Sequence, residues 1–162
     1  MTLIRDTTDA DFSRIVKLNT VEEQQTSPMS LQRLRLLDKY SSYNRVAEIE
    51  GEVVAFLLAI PAGVPYENEN YDWFSRRFQS FLYIDRIVVA AEFSGRGVGS
   101  SLYADLFAFA RSNNIGTITC EYNIKPLNPA SRAFHGKFGF KEAGTQWVAN
   151  ATKQVSLQCA EA

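Results

Sequence analysis

Hydrophobic positions along the chain change period several times, and each change marks an element. Leu3-Ile4-Arg5 reads as a short first strand. Thr7-Thr8-Asp9 can cap a helix running to about Thr20, with Phe12, Ile15, Val16 and Leu18 as its apolar side. Ser30 can cap a second helix, in which Leu31, Leu34 and Leu37 recur every three residues. Val46–Ile49 and Val53–Ile60, joined through Glu50-Gly51-Glu52, predict a hairpin. The second arm is apolar on both faces, as a central strand covered on two sides must be. Pro61-Ala62-Gly63-Val64-Pro65 breaks it. Phe81–Val89 predicts another central strand, followed by a glycine-rich turn at 95–99 and a helix to about Asn113. That helix carries Leu102, Leu106 and Phe109 on one side and Tyr103, Phe107 and Ala110 on the next, a face wide enough to pack on a sheet. Thr117–Tyr122 reads as a strand. Asn128-Pro129 opens a further helix, with Asn at the cap and Pro in the first turn, and Gly139 ends it. Strands near 140–143 and 147–157 complete the chain.

The resulting order, β α α β β β α β α β β, predicts an α+β fold with a mixed, mostly antiparallel sheet of six to seven strands. Residues 81–122 have the length of a right-handed parallel crossover. A chain of 162 residues fits a single domain over 1–162. Lys plus Arg is 17 and Asp plus Glu is 18, so a general electrostatic grip on nucleic acid or on an anionic membrane is not expected. One histidine, His135, and two cysteines, Cys120 and Cys159, are too few for a closed structural zinc site, so no metal is expected. Both cysteines fall on predicted strands and should be reduced, buried thiols. The opening residues hold no apolar signal core, and no stretch approaches a membrane span, so the expected location is the cytoplasm.

Chemistry concentrates first at Ser94-Gly95-Arg96-Gly97-Val98-Gly99. Glycines let the backbone turn tightly and approach a ligand, and the helix that follows offers unpaired N–H groups and a positive dipole end. Arg96 adds a formal charge. Together these suit a phosphate or pyrophosphate. A Walker loop would need Gly-Lys-Ser/Thr, and Gly99 is followed by Ser100. A dinucleotide fingerprint would need a third glycine where Ser100 stands, and only about forty residues follow Glu121, too few for a doubly wound sheet. Coenzyme A and a connector without ligand remain.

The second motif runs from Asn128 to Phe140 as Asn-Pro-Ala-Ser-Arg-Ala-Phe-His-Gly-Lys-Phe-Gly-Phe. Ala130, Phe134 and Phe138 recur at i, i+4 and predict a packing stripe, with His135 about 100° away at the edge of the core. The glycine turn after an apolar strand, followed by Asn-x-x-Ser-x-x-Phe-x-x-x-x-Gly-Phe, resembles the GNAT superfamily of N-acetyltransferases. The resemblance implies the GNAT acyl-CoA N-acyltransferase fold and acetyl-CoA as donor. It implies that the backbone of Ile87, Val88 and Val89 pairs with the pantetheine arm. It further implies that the amides of Ser94, Gly95, Arg96, Gly97, Val98 and Gly99 hold the pyrophosphate and that Asn128 touches the cofactor. This chain departs from the family twice: Ser94 stands where Gln or Arg is usual, and His135 stands where a tyrosine acid is common.

Acetyl transfer to an amine needs a neutral nitrogen, a polarised carbonyl and a stabilised leaving thiolate. His135 titrates near neutrality and could protonate the thiolate, or could simply hydrogen-bond the sheet. Asp85 and Glu121 are the candidate bases; alternatively Asp85 pairs with Arg86 and Glu121 ends a strand. Tyr66, Tyr71, Trp73, Phe74, Phe78 and Phe81 could wall an acceptor site, although at least half should be core; Glu67, Glu69 and Asp72 beside them would suit a cationic amine. The reading is an enzyme that moves acetyl from acetyl-CoA to a primary amine of a small molecule or amino-acid derivative in a ternary complex. The opposing reading is a non-catalytic CoA-binding sensor or scaffold. A homodimer is compatible with either.

Overall fold

A computed structural model describes residues 1–21, 27–125 and 129–162. Seven strands, β1 (Thr2–Asp6), β2 (Tyr43–Ile49), β3 (Glu52–Pro61), β4 (Leu82–Val89), β5 (Thr117–Lys125), β6 (Lys141–Val148) and β7 (Lys153–Glu161), form one sheet in the order β1-β2-β3-β4-β5-β7-β6. Among the described residues there are five α-helices: α1 (Phe12–Val21), α2 (Leu31–Tyr40), α3 (Glu69–Ser75), α4 (Val98–Ser112) and α5 (Pro129–Lys137). β4 and β5 pair in parallel through Leu82–Ile118 and Tyr83–Thr119, the signature of the crossover that the sequence predicts. β1–β2, β2–β3, β5–β7 and β6–β7 are antiparallel. The α+β mixed sheet is therefore present, with seven strands. By contact density the chain divides into two compact units, Met1–Pro61 with Ile84–Leu106, and Ala62–Tyr83 with Phe107–Ala162.

In the first unit, the residue before α1 is an anchor. Arg5 donates to both oxygens of Asp11, at 2.7 and 2.9 Å, and the Thr8 amide donates to the same carboxylate at 2.8 Å. The guanidinium lowers the Asp11 carboxyl to about 2. Phe12, Ile15 and Leu18 are buried on α1, as their spacing requires. Ser30 caps α2 by accepting from the Arg33 amide; Leu34 and Leu37 are buried, whereas Leu31, in the first turn, is exposed. Every residue from Val53 to Ile60 is buried, which explains the unbroken apolar run of β3. Glu50 (φ 52°) and Gly51 (φ 80°) both take left-handed backbone and close the β2–β3 hairpin with the twist such turns favour. Tyr43 and Arg45 each donate to Asp105 at 2.7 Å, tying β2 to α4.

In the second unit, α3 is an element that the apolar pattern does not separate from its aromatic surroundings. Asn68 caps it by accepting from the amides of Asn70 and Tyr71. Tyr71 and Phe74 are buried. The last hairpin is placed differently from the sequence prediction. β6 continues to Val148 and β7 begins at Lys153, because the turn lies at 149–152. Ala149, Asn150 and Ala151 all adopt positive φ there without a glycine, so Asn150 alone is of a type that favours the turn. The break expected at 144–146 is instead a bulge: the β6–β7 register shifts between Glu142 and Gly144. Gly144 is needed for space, since a Cβ would lie 2.5 Å from the Trp73 ring. Of the two free thiols, Cys120 is buried and Cys159 is half-buried, a correction to the expectation for Cys159.

Candidate active site

The site residues of the first unit sit on β4 and on the turn into α4. Val88 is buried; Ile87 and Val89 are half-buried. The Ala90 amide donates to the Val54 carbonyl at 2.8 Å and fixes the end of the strand. A 3-10 turn over Ala91–Phe93, absent from the sequence reading, leads into Ser94. Gly95 (φ 77°) and Gly97 (φ 79°) are left-handed on either side of Arg96, which is not. Left-handed residues in a turn before a helix are the backbone pattern from which anion-binding nests are built. A Cβ on either glycine would meet nothing within 4 Å, so the backbone conformation, and not crowding, requires glycine there. Val98 is buried as the first residue of α4, and Gly99 follows half-buried. The opening amides of that 15-residue helix have no partner within its own ladder. Arg96 is exposed, its guanidinium 5.0 Å from the Phe93 ring centre. The open cradle, the helix end and the cation together fit a pyrophosphate. Ser94 is exposed and supplies only a short hydroxyl.

Asp85 lies in the same unit, held away from bulk water. Arg86 donates to it at 2.7 Å, and both side chains are almost fully buried. Arg86 also donates to Asn19 at 3.0 Å, to the Ser27 carbonyl at 3.0 Å and to the Ser27 hydroxyl at 3.1 Å. The carboxylate is thus part of a buried polar network that joins β4 to α1 and to the residues before α2.

The second unit holds His135 and Glu121. His135 is the buried residue of α5, 7% exposed, while Ala130 is exposed and Phe134 and Phe138 are half-buried. The expected stripe is therefore not the face that is buried most, and His135 is not at the core's edge. The reason is aromatic packing. Tyr122 stacks on the imidazole at 5.8 Å and 20°, and Phe140 and Phe134 meet it edge-on at 5.4 and 5.8 Å. His135 Nδ1 lies 2.6 Å from the Ser131 carbonyl oxygen. A carbonyl only accepts, so Nδ1 carries the proton and Nε2 of the neutral ring is the acceptor. Burial pushes the His135 pKa below 6.5, with the Ser131 carbonyl working in the opposite direction. Glu121 is half-buried and accepts from the Tyr83 hydroxyl with both oxygens, at 2.8 and 2.9 Å. Asn128 lies outside the described residues.

From the sequence, Tyr83 and Tyr122 could shape the acceptor pocket or simply pack; their pairing with Glu121 and His135, and the role of Ser131, come from the structure. Ser131 stands four residues before His135, a spacing that places the two on one helical face. Of the aromatic segment, Tyr66, Tyr71, Phe74 and Phe81 are buried, in keeping with core, while Trp73 and Phe78 are half-buried.

The mixed seven-stranded sheet with its helices is the fold of an acetyltransferase. The model of the Acetyltransferase (GNAT) family matches residues 6–140, and the chain belongs to that family, which uses acetyl-CoA. The chain resembles the ribosomal-protein-S18-alanine N-acetyltransferase of Escherichia coli, at 16% identity and TM-score 0.75, over 99% of this chain and 94% of that one. It is similar to Ard1 of Thermoplasma volcanium, at 16% identity and TM-score 0.80, over 99% and 97%. It also resembles a chain of the NatC complex bound to Gag peptide and CoA, at 13% identity and TM-score 0.78, over 99% and 98%. At these identities the likeness shows the fold. No curated protein sequence matches the chain significantly. Among the described residues no helix is long and apolar enough to cross a membrane, and no group of three or more His, Cys, Asp or Glu is arranged to hold a metal ion.

Proposed function

We propose that the chain acts as one catalytic domain that transfers an acetyl group from acetyl-CoA to a primary amine. The observation that carries this is the left-handed pair Gly95 and Gly97 just before α4, the backbone pattern an anion cradle needs, in a member of this family. The amides of Ser94 to Gly99 with Arg96 would hold the pyrophosphate, and the backbone of Ile87, Val88 and Val89 would hold the pantetheine arm. The bound donor supplies an acetyl thioester. Positioning both partners in one complex is the largest contribution available, up to about 7–11 kcal/mol of the barrier.

His135 is proposed as a proton carrier. Neutral at pH 7 and with Nδ1–H held by Ser131, it takes at Nε2 the proton that the attacking nitrogen loses. As an imidazolium it is a stronger acid than an exposed histidine, and it returns that proton to the leaving sulfur. This inverts the order of a tyrosine acid, which begins protonated. Glu121 is the proposed second acceptor, its orientation set by Tyr83. The ion pair with Arg86 suits Asp85 to positioning β4 and makes it the weaker base candidate.

The acceptor we favour is a small molecule or amino-acid derivative. The protein α-amine is the second reading, supported by the acceptors that the names of the similar structures give. Free thiols at Cys120 and Cys159 suit a reducing compartment such as the cytoplasm. Incubation with acetyl-CoA and a panel of small amines and short peptides, read by thiol release, tests the proposal. Acetylation of a small amine is expected. Release confined to peptides selects the second reading. CoA binding without release to any acceptor selects a sensor or scaffold.

A further inference from the structure

The segment that links β3 to β4 does more than cover the sheet. With α3 it borders an open cleft of about 620 Å³, within the range of small-molecule sites. Tyr66, Tyr71, Phe78 and Phe81 line it, together with Glu67 and Asp72; among the described residues no Lys or Arg does. Tyr71 meets Tyr66 and Phe81 edge-to-face, at 5.3 and 5.5 Å, which fixes the three rings against one another. The cleft is preformed. The Ala62 amide donates to the Phe81 carbonyl at 3.1 Å and closes the base of the loop, and the Val64 amide donates to the Tyr71 hydroxyl at 3.3 Å. Of these, Tyr66, Tyr71 and Phe81 are buried, while Glu67 and Asp72 are exposed.

We propose that this cleft binds an organic ammonium ion carried on an aromatic or aliphatic body. Two attractions converge on that chemistry. The carboxylates pair with a cation, and the apolar body is removed from water against Phe78. An anion would face two carboxylates, and a neutral ligand would gain no charge pairing from them. An ammonium ion paired with these carboxylates stays protonated and is not a nucleophile. A ligand seated here that is also an acetyl acceptor must therefore carry a second, neutral amine. The proposal does not depend on acetyl transfer.

The test is isothermal titration calorimetry of the full chain with 2-phenylethylammonium chloride, without acetyl-CoA. The expected result is one-to-one binding, about tenfold or more tighter than for the neutral analogue 2-phenylethanol and weakened by salt. Glu67→Gln/Asp72→Asn should weaken it about tenfold while leaving the melting temperature near wild type, since both groups are exposed. Phe78→Ala should weaken the cation and the alcohol alike. No binding, equal binding of the alcohol, or binding untouched by both salt and the double variant would each overturn the proposal. A loss of acetyl transfer with this binding intact would instead count against the function proposed above.

Discussion

Burial among aromatic rings lowers the affinity of His135 for a proton below that of an exposed imidazole. The helical spacing points to Ala130, Phe134 and Phe138 as the packed stripe, but stacking by Tyr122 and edge contacts from Phe134 and Phe140 bury the imidazole instead. Spacing along α5 cannot register a partner that arrives from β5. The protonation consequence has a definite sign. The folded pKa lies below 6.5, so between the two values the unfolded chain binds more protons and stability rises with pH. As pH falls through 6.5 toward the folded value, this contribution is lost. His135→Phe should remove that slope, read as urea midpoints between about pH 5 and 8 at constant m value. The same variant should lower turnover while leaving CoA binding intact. A pH slope retained in the variant would assign the titration to another group.

Elements bring together what sequence proximity does not. Asp85 and Arg86 are neighbours, and their pairing is legible from the chain; the attachment of Arg86 to Asn19 and Ser27, about sixty residues away, is not. Arg86→Met removes the guanidinium beside a buried carboxylate and should cost about 3–5 kcal/mol, much of it recovered by adding Asp85→Leu. Chemical denaturation of both variants reads this, and equal losses in the two would contradict it. The link between α3 and β6 was also invisible. Trp73 fills the space over Gly144, and Gln146 donates to Asn70 at 2.9 Å. Gly144→Ala should destabilise by about 1–3 kcal/mol, relieved by Trp73→Leu, in a thermal melt. A glycine in a strand pattern looked like a break because a bulge and a turn share that residue, whereas the real turn uses Ala149, Asn150 and Ala151. The helix α3 did leave a signal, Asn68 followed by Tyr71, Phe74 and Phe78 at helical spacing, but seven aromatics within residues 66–83 obscured the period.

At the scale of the whole molecule, the patterning was enough for the architecture. A run apolar on both faces became the buried β3, and a strand, glycine turn, wide-faced helix and strand became a parallel pair. These features are read from periods of two and 3.6 residues, which survive any detail of packing. The candidate site was legible where its chemistry is backbone chemistry, at Gly95 and Gly97, because the left-handed conformation is itself a demand on residue type. It was less legible where partners are distant, as for Glu121 with Tyr83. The central claim is that the turn before α4 holds a CoA pyrophosphate. The most direct measurement is the melting temperature with and without CoA, for wild type and Gly97→Val. At CoA about 100 times its dissociation constant, wild type should gain about 2.7 kcal/mol, a clear upward shift. Gly97→Val, with its backbone strained at the cradle, should shift far less. An unchanged melting temperature of the wild type at saturating CoA would contradict the claim.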